Sequence, residues 1–539
     1  MDPSMALRTP RRHFHAGAST HVERRAGAGR KEREAVLKRV FAAPDPGLLR
    51  LRSATRAVLG VGVAVAGCAL TGHPLTSVMT GGLAALLALF TVTDPRIRDQ
   101  AVTTALLPVV GLPVLALATG LHTAPVARDA AFVAVAGAAV YARRWGPRGH
   151  ALGVFAFMTF FVTQFLSAVP AQLAALCSSV VLGVLAASAV RFGAWCFERR
   201  LSPPAAPVLP GGTGLARTTT RQAVQVTVAG TFALAAGQLL SDERWYWAVG
   251  AAWWIFVNTS ARGETLVRGF RRVLGTVLGI TAGLVVAVPV QGAPLPTTVL
   301  ALACVFGIFY SAPVSYSWMM FAVTLLVSLL YGLLGALGPA LLALRLAETA
   351  VGALGAALAV AFVLPVTTHS VTDAWIRLAV RCVHECTTVA MRRLAGDETA
   401  DPAPRAAELE QLLARVRMSL APLVHPLSPL RARKARARQV IALLDDCARE
   451  VRGLAAVAAD PYASHDARLA AACWRVEAAV HALEPDSGPG RGPAPAGSGA
   501  PPEHPGAEAA LSHLDGLERA LSGLATPLRS SPRAPLTTV

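Results

Sequence analysis

Between residues 54 and 365 the chain consists of apolar stretches that are almost free of charge, and this pattern decides what it can fold into. A bilayer core holds no water, so a segment crossing it must satisfy its own backbone; a helix of about 20 residues does so over about 30 Å. The stretches fall near 54–71, 74–92, 101–121, 127–142, 149–167 and 170–192. After a break they resume near 220–240, 244–258, 267–289, 294–311, 316–335 and 345–365. Some are short for a full crossing, which tilt or pairing accommodates. Composition agrees, with 15% charged residues among 539 where a soluble protein carries about a quarter. The expected fold class is an all-α membrane protein of about 12 transmembrane helices, with the lipid bilayer as its first partner.

The formal net charge of +18 suggests nucleic acid at first sight, but the basic residues sit in the tails and in loops between apolar segments. That distribution follows the positive-inside rule and argues against a nucleic-acid partner. With the basic N-terminus inside, the loops at Arg96/Arg98, Arg143/Arg144/Arg148, Arg199/Arg200/Arg217 and Arg262/Arg268 also fall inside. Loops assigned outside, such as His73–Pro74 and Gly292–Pro296, lack Arg. Where Arg128 and Arg244 do fall outside, each has an acid beside it: Asp129 for the first, Asp242 and Glu243 for the second. The expectation is a multi-pass plasma (inner) membrane protein with both termini cytoplasmic. Residues 1–50 form a basic arm without a cleavable apolar core. Lys31–Phe41 is either an amphipathic helix on anionic lipid or a disordered, orientation-setting segment.

The apolar region divides into two halves that echo each other. Arg52-Ser-Ala-Thr55-Arg56 resembles Arg217-Thr-Thr-Thr220-Arg221, and Phe90-Thr-Val-Thr93-Asp-Pro-Arg96 resembles Phe256-Val-Asn-Thr259-Ser-Ala-Arg262, at nearly one offset. Tyr141 and Tyr310 form a looser third match. Repeats of six crossings, over 51–200 and 217–365 with a Pro/Gly linker at 201–216, are parallel and would enclose a substrate path between them. Pro108, Gly111 and Pro113 in the first half suggest a broken helix lining that path.

From residue 366 the apolar positions recur with a helical period between charged faces, as in Leu409, Leu412, Leu413, Val416 and Leu420. Residues 366–484 are therefore expected to form a cytoplasmic helical domain. Arg431, Arg433, Lys434, Arg436 and Arg438 read as a solvated or lipid-facing surface. A Pro/Gly/Ala linker (485–506) precedes a last amphipathic helix within 507–539, with Leu511, Leu514, Leu517, Leu521 and Leu524 on one face. That helix either docks back or pairs with another subunit in a homo-oligomer. The eight cysteines lie in apolar or inner segments, so no disulfide is expected. Cys382, His384 and Cys386 are too few for a closed zinc site, and neither metal nor cofactor is expected.

The most informative stretch is Ser241–Val288. A Trp-rich apolar segment ends at Asn258, a short loop carries Arg262 and Glu264, and Arg268, Arg271 and Arg272 lead into the next apolar run. Gly275, Gly279 and Gly283, four apart, make one helix face smooth enough for close approach in lipid. The string RWYWAV followed by SARGETLVRGFRRVLGTVLGITAG resembles the fusaric-acid-resistance-like (FUSC) family, over about 220–290 and onward to Pro365. The resemblance implies an inner-membrane exporter of aromatic acids, with more distant kinship to plant aluminium-activated malate transporters. It also places an Arg, an acid and a Gly where Arg345, Glu348 and Gly352 stand.

No phosphate-cradling GxxxxGK[ST], HExxH or Gly-x-Ser-x-Gly occurs, which argues against an ATP-driven pump and against an enzyme. Arg262, Arg268, Arg271 and Arg272 are either positive-inside anchors or a group that gathers carboxylates, which a planar guanidinium binds through both oxygens. Trp245, Tyr246 and Trp247, with Trp253 and Trp254, either stack on an aromatic substrate or form an interfacial belt. Arg345 and Glu348 are an intramembrane pair or a proton-coupling site. The expected function is proton-coupled export of a small aromatic or other organic anion, with Arg262, Arg268, Arg271, Arg272, Trp245, Tyr246, Trp247 and Asn258 as candidate binding residues. A passive organic-anion channel and a membrane scaffold are the rival readings.

Overall fold

The structure is a computed structural model; it describes residues 48–198, 214–257, 259, 262–290, 292–365, 368–394, 397, 399–424, 431–459, 467–483 and 505–529. The basic arm before residue 48, the proposed Lys31–Phe41 helix, Asn258 and most of both linkers lie outside that set. Every regular element among the described residues is helical. In the apolar region these are α1 (Leu49–Leu70), α2 (Leu75–Thr91), α3 (Ile97–Gly120), α4 (Pro125–Tyr141), α5 (Gly146–Phe165) and α6 (Leu173–Glu198). Then come α7 (Thr218–Leu240), α8 (Tyr246–Phe256), α9 (Arg262–Ala282, extended by a wide turn over Gly283–Ala287 to Val290), α10 (Pro294–Ser311), α11 (Tyr316–Leu333) and α12 (Pro339–Phe362). Five more follow: α13 (Thr368–Leu394), α14 (Ala403–Val424), α15 (Arg431–Ala458), α16 (Ala467–His481) and α17 (Pro505–Arg529). Among the described residues, 9 helical stretches are long and apolar enough to cross a membrane.

Prolines and glycines set the breaks. α4, α10 and α12 each begin with Pro at the first turn, where the missing N–H would be unpaired anyway. α4 and α5 are separated by a tight turn at Ala142–Trp145, and Gly146, with φ +74°, lets the chain double back. Within α9 the wide turn over Gly283–Ala287 lies just ahead of Pro289, whose ring would clash with the carbonyl four residues earlier in a regular helix. α3, by contrast, runs unbroken through Pro108 and Pro113. It packs on α5 and α6, with Gly111 against the Phe155 ring. It is a packed scaffold helix, not a broken helix lining the path.

α1 packs on α2 and α6, α2 on α6 and α5, α3 on α5 and α6, and α4 on α5. In the second set α7 packs on α8 and α12, α8 on α12, α9 on α11 and α12, and α10 on α11. The sets are joined crosswise, α4 against α7 and α10 against α1. Both apolar cores therefore draw side chains from both sets, as where Phe132, Phe157 and Phe160 meet Trp245 and Trp253.

α2 (17 residues) and α8 (11 residues) are both short, and each ends inside the protein. Four C-terminal carbonyls of any helix lack helical partners, which is costly away from water. Guanidinium groups take them here, one buried (Arg191) and one half-buried (Arg143). Arg191 donates to the carbonyls of Val92 (2.9 Å), Ala88 (3.0 Å) and Leu89 (3.2 Å). Arg143 donates to those of Phe256 (3.1 Å) and Thr259 (3.2 Å) and to Gln222 Oε1 (3.1 Å).

The last five helices surround a core of their own that includes Leu409, Leu413, Val440, Leu444 and Leu517. α17 returns onto α15 and α16, where Arg475 pairs with Asp515 and Glu518. This assembly touches the apolar region where α14 and α13 meet the start of α9. Thiols there are pushed up, the buried Cys447 to about 12 and the half-buried Cys473 to about 11, chiefly because desolvation disfavours the thiolate.

Candidate functional site

A cavity of about 120 Å³ lies where the two sets of helices meet. Its walls are apolar and come from both: Leu87 and Phe90 of α2 and Phe161 of α5 face Trp247 and Trp254 of α8 and Met320 of α11. Along α11 it reaches from Met319 to Leu330, a rise of roughly 16 Å. Arg272 and Arg345 are its charged lining residues.

Arg272 enters from α9, which starts at the end of the bundle that carries the basic turns. It is 6% exposed. One guanidinium nitrogen is 3.4 Å from the Tyr316 hydroxyl and 3.0 Å from Met320 Sδ, while its Nε has no hydrogen-bond partner among the described residues. No carboxylate pairs with it among those residues. Arg268, one turn earlier, covers the Tyr316 ring at 4.0 Å. Helix packing holds this face in place: a Cβ on Gly275 would lie 2.5 Å from the Ser317 carbonyl oxygen, and one on Gly279 2.5 Å from Thr324 Cβ. Gly283 faces Ser328 in the same way.

Arg345 enters from the opposite end, since α12 runs back from Pro339. It lies over the Trp247 ring at 3.3 Å and faces Glu348 Oε2 at 3.5 Å. Trp247 is itself fixed by donating to the Tyr331 hydroxyl at 2.7 Å. Glu348 is fully buried, and its Oε1 finds no partner among the described residues. Because α12 begins six residues before Arg345, the pair lies about 9 Å inside the helix, deeper than a crossing starting at residue 345 would put it.

The other candidates separate in space. Arg271 is exposed and Arg262 half-buried, and neither lines the cavity. Trp245 and Tyr246 are buried, Trp245 against Phe132 and Tyr246 against Phe161. Trp253 stacks on Phe157 at 4.1 Å. The interfacial-belt reading is thus corrected: α8 is enclosed on all sides, so its rings form core, and Trp247 and Trp254 alone among them reach the cavity. Asn258 lies outside the described residues. Arg191 was not singled out from the sequence, and Arg143 entered only as one of the Arg residues of an inner loop, which the structure shows as the turn Ala142–Trp145.

Residues 228–359 match the family model described as fusaric acid resistance protein-like. The match runs from α7 to α12 and contains Trp247, Arg272, Arg345 and Glu348, so the resemblance carried by RWYWAV and SARGETLVRGFRR holds over the charged half of the cavity. No curated protein matches the chain, and no solved structure does.

Proposed function

We propose that this protein is a plasma-membrane secondary transporter that exports aromatic or other organic carboxylates in exchange for protons, with both termini and α13–α17 on the cytoplasmic side. One observation carries the reading: Arg272 is a buried cation, unneutralised by any described carboxylate, at an apolar cavity in the membrane-embedded part of the chain. An isolated buried charge costs several kcal/mol and is retained where something pairs with it. A small anion with an apolar body supplies both the pairing and the wall contacts. The cavity's size suits one aromatic ring, since an apolar cavity of about 150 Å³ holds benzene.

The repeat reading is supported by pairing order. The contacts α1–α2, α1–α6, α2–α6, α3–α5, α3–α6 and α4–α5 each recur six helices later, and α4–α7 mirrors α10–α1. The cavity then lies on the interface of two parallel repeats, where such transporters bind cargo. Glu348 is the proton carrier in this scheme. The charged and titratable groups around it are Arg345, Arg244, Tyr246 and Tyr331.

The test is counterflow of 4-hydroxybenzoate in liposomes containing the purified protein. Saturable uptake that accelerates with an opposing pH gradient is expected, and Glu348→Gln is expected to exchange substrate without responding to that gradient. Uptake equal to protein-free liposomes across a panel of aromatic and aliphatic carboxylates would sink the proposal.

A further inference from the structure

A second apolar pocket, of about 150 Å³, lies against the Arg272 cavity and shares four wall residues with it: Leu83 and Leu86 of α2, and Leu326 and Leu330 of α11. Its other walls come from the same two helices and from α1 and α10, among them Val61, Val65, Ala301 and Val305. It opens where Leu75 starts α2 and Pro294 and Thr298 start α10, and all three of these residues are exposed.

The two spaces differ in chemistry. The first holds Arg272 and Arg345 together with the rings of Phe90, Phe161, Trp247 and Trp254. Among the described residues, neither a ring nor a charge lines the second. The hydroxyl of Thr298 at its mouth donates to the Pro294 carbonyl at 2.7 Å. A solute there gains by burying aliphatic surface, roughly fourfold in affinity per methylene.

The helix geometry links this pocket to the charge. Arg272 meets Met320, and Leu326 stands six residues further along α11, roughly 9 Å away. Arg345 already faces Glu348, so Arg272 is the lining cation with no carboxylate beside it among the described residues. A molecule with its head on Arg272 and an extended body therefore reaches the shared leucines. An apolar cavity of about 150 Å³ holds benzene, and on that measure the two spaces together hold roughly ten apolar carbons. Leucine side chains bound the way between them, which suits an unbranched chain better than a second ring.

We infer that the second pocket is a subsite for the tail of a straight-chain carboxylate. The carboxylate pairs with Arg272, the first carbons lie among the rings, and the chain passes Leu83, Leu86, Leu326 and Leu330 to end between α1 and α10. The cargo class assigned in this way is an alkanoate of about ten carbons. The inference rests on the reading of Arg272 as the carboxylate's partner and names what that site takes.

The experiment is thermal melting of the full chain in detergent, titrated with hexanoate, octanoate, decanoate and tetradecanoate. The parent is compared with Ala301→Phe and with Thr298→Phe, which both fill the second pocket from positions that do not line the first. Thr298 is exposed, so its variant leaves the core packing in place. Micelles take up each acid equally for every protein, so the ratio of acid needed by variant and by parent reads the pocket. Hexanoate is expected to act on all three alike. The ratio should rise roughly fourfold per methylene lodged in the pocket up to decanoate and stay level for tetradecanoate. Arg272→Met should weaken every acid by one factor. A ratio that stays at unity through decanoate overturns the inference and leaves the carboxylate site standing. Decanoate that binds Arg272→Met as it binds the parent also overturns it, since the acid would then be lodged as a lipid. If no acid of the series acts on the parent, the reading of Arg272 fails, and the tail subsite fails with it.

Discussion

Replacing Arg272 with Met should move stability and binding in opposite directions. In the empty protein Arg272 is nearly sealed from solvent, makes one long contact to a hydroxyl and one to a thioether, and has an unpartnered Nε. Those contacts offset little of the cost of burying a charge. Exchanging buried charged groups for apolar ones of similar volume stabilises proteins by about 1–4 kcal/mol, and the melting temperature of ligand-free Arg272→Met should rise accordingly. The carboxylate of a bound substrate loses its charged partner, a bond of about 1.5–3 kcal/mol, so affinity falls roughly ten- to hundredfold. The assay is thermal melting in detergent with 4-hydroxybenzoate at increasing concentration. A ligand at a hundred times its Kd adds about 2.7 kcal/mol, which the variant should require far more ligand to reach. A variant that melts lower than the parent, or that keeps the same ligand response, would refute the assignment of Arg272 as the unpaired cation of the site.

Gly279→Leu places a Cβ 2.5 Å from Thr324 Cβ and 3.0 Å from the Phe321 carbonyl oxygen; it should lower the melting temperature by an amount equivalent to about 3 kcal/mol or prevent assembly altogether. Arg143→Ala strips the C-terminus of α8 of its cap and should cost about 3 kcal/mol, seen as faster hydrogen exchange at residues 254–257 with little change elsewhere in the bundle. Cys447 and Cys473, held near 12 and 11 by burial, should resist maleimide at pH 8, with labelling rising as pH climbs toward those values because the thiolate is the nucleophile. Peptide mapping checks this, and rapid labelling of Cys447 in folded protein would contradict its place in the core.

The helices of the membrane region were legible because lipid leaves the chain little choice. Each apolar stretch between charged or Pro/Gly breaks became a helix, shifted by a few residues at its ends. The site was less legible, though one signal was present. On α9 the residues 272, 275, 279 and 283 share a face, and the glycines on it mark the side turned toward another helix. That phase puts Arg272 inward and Arg271, with Leu274 and Leu278, outward. Reading the arginines as a group rather than by phase obscured the difference. The aromatic segment was misread for a related reason. Trp245 to Phe256 has no polar face, and a helix apolar all round is one buried on every side. Arg191 was hidden because a sequence does not say which carbonyls a helix leaves open; its partners lie about 100 residues away.

The two caps suggest why the cavity exists at all. A helix crossing the full bilayer beside α5 and α11 would fill the space between the two sets with its own side chains. α2 and α8 stop short, and a short helix is tolerable in a membrane protein only where its last carbonyls are paired. Arg191 and Arg143 provide that pairing by different routes, one from α6 within its own set and one from the α4–α5 turn across the sets. The first set thus contributes part of the apolar wall and, through Arg143, the support for the opposite helix. The second set contributes both charges that line the cavity, Arg272 and Arg345. The charged residues lining the cavity thus come from one set of helices, while the other set supplies apolar wall and the cap of the opposite helix. The family match falls on the half that carries the charge.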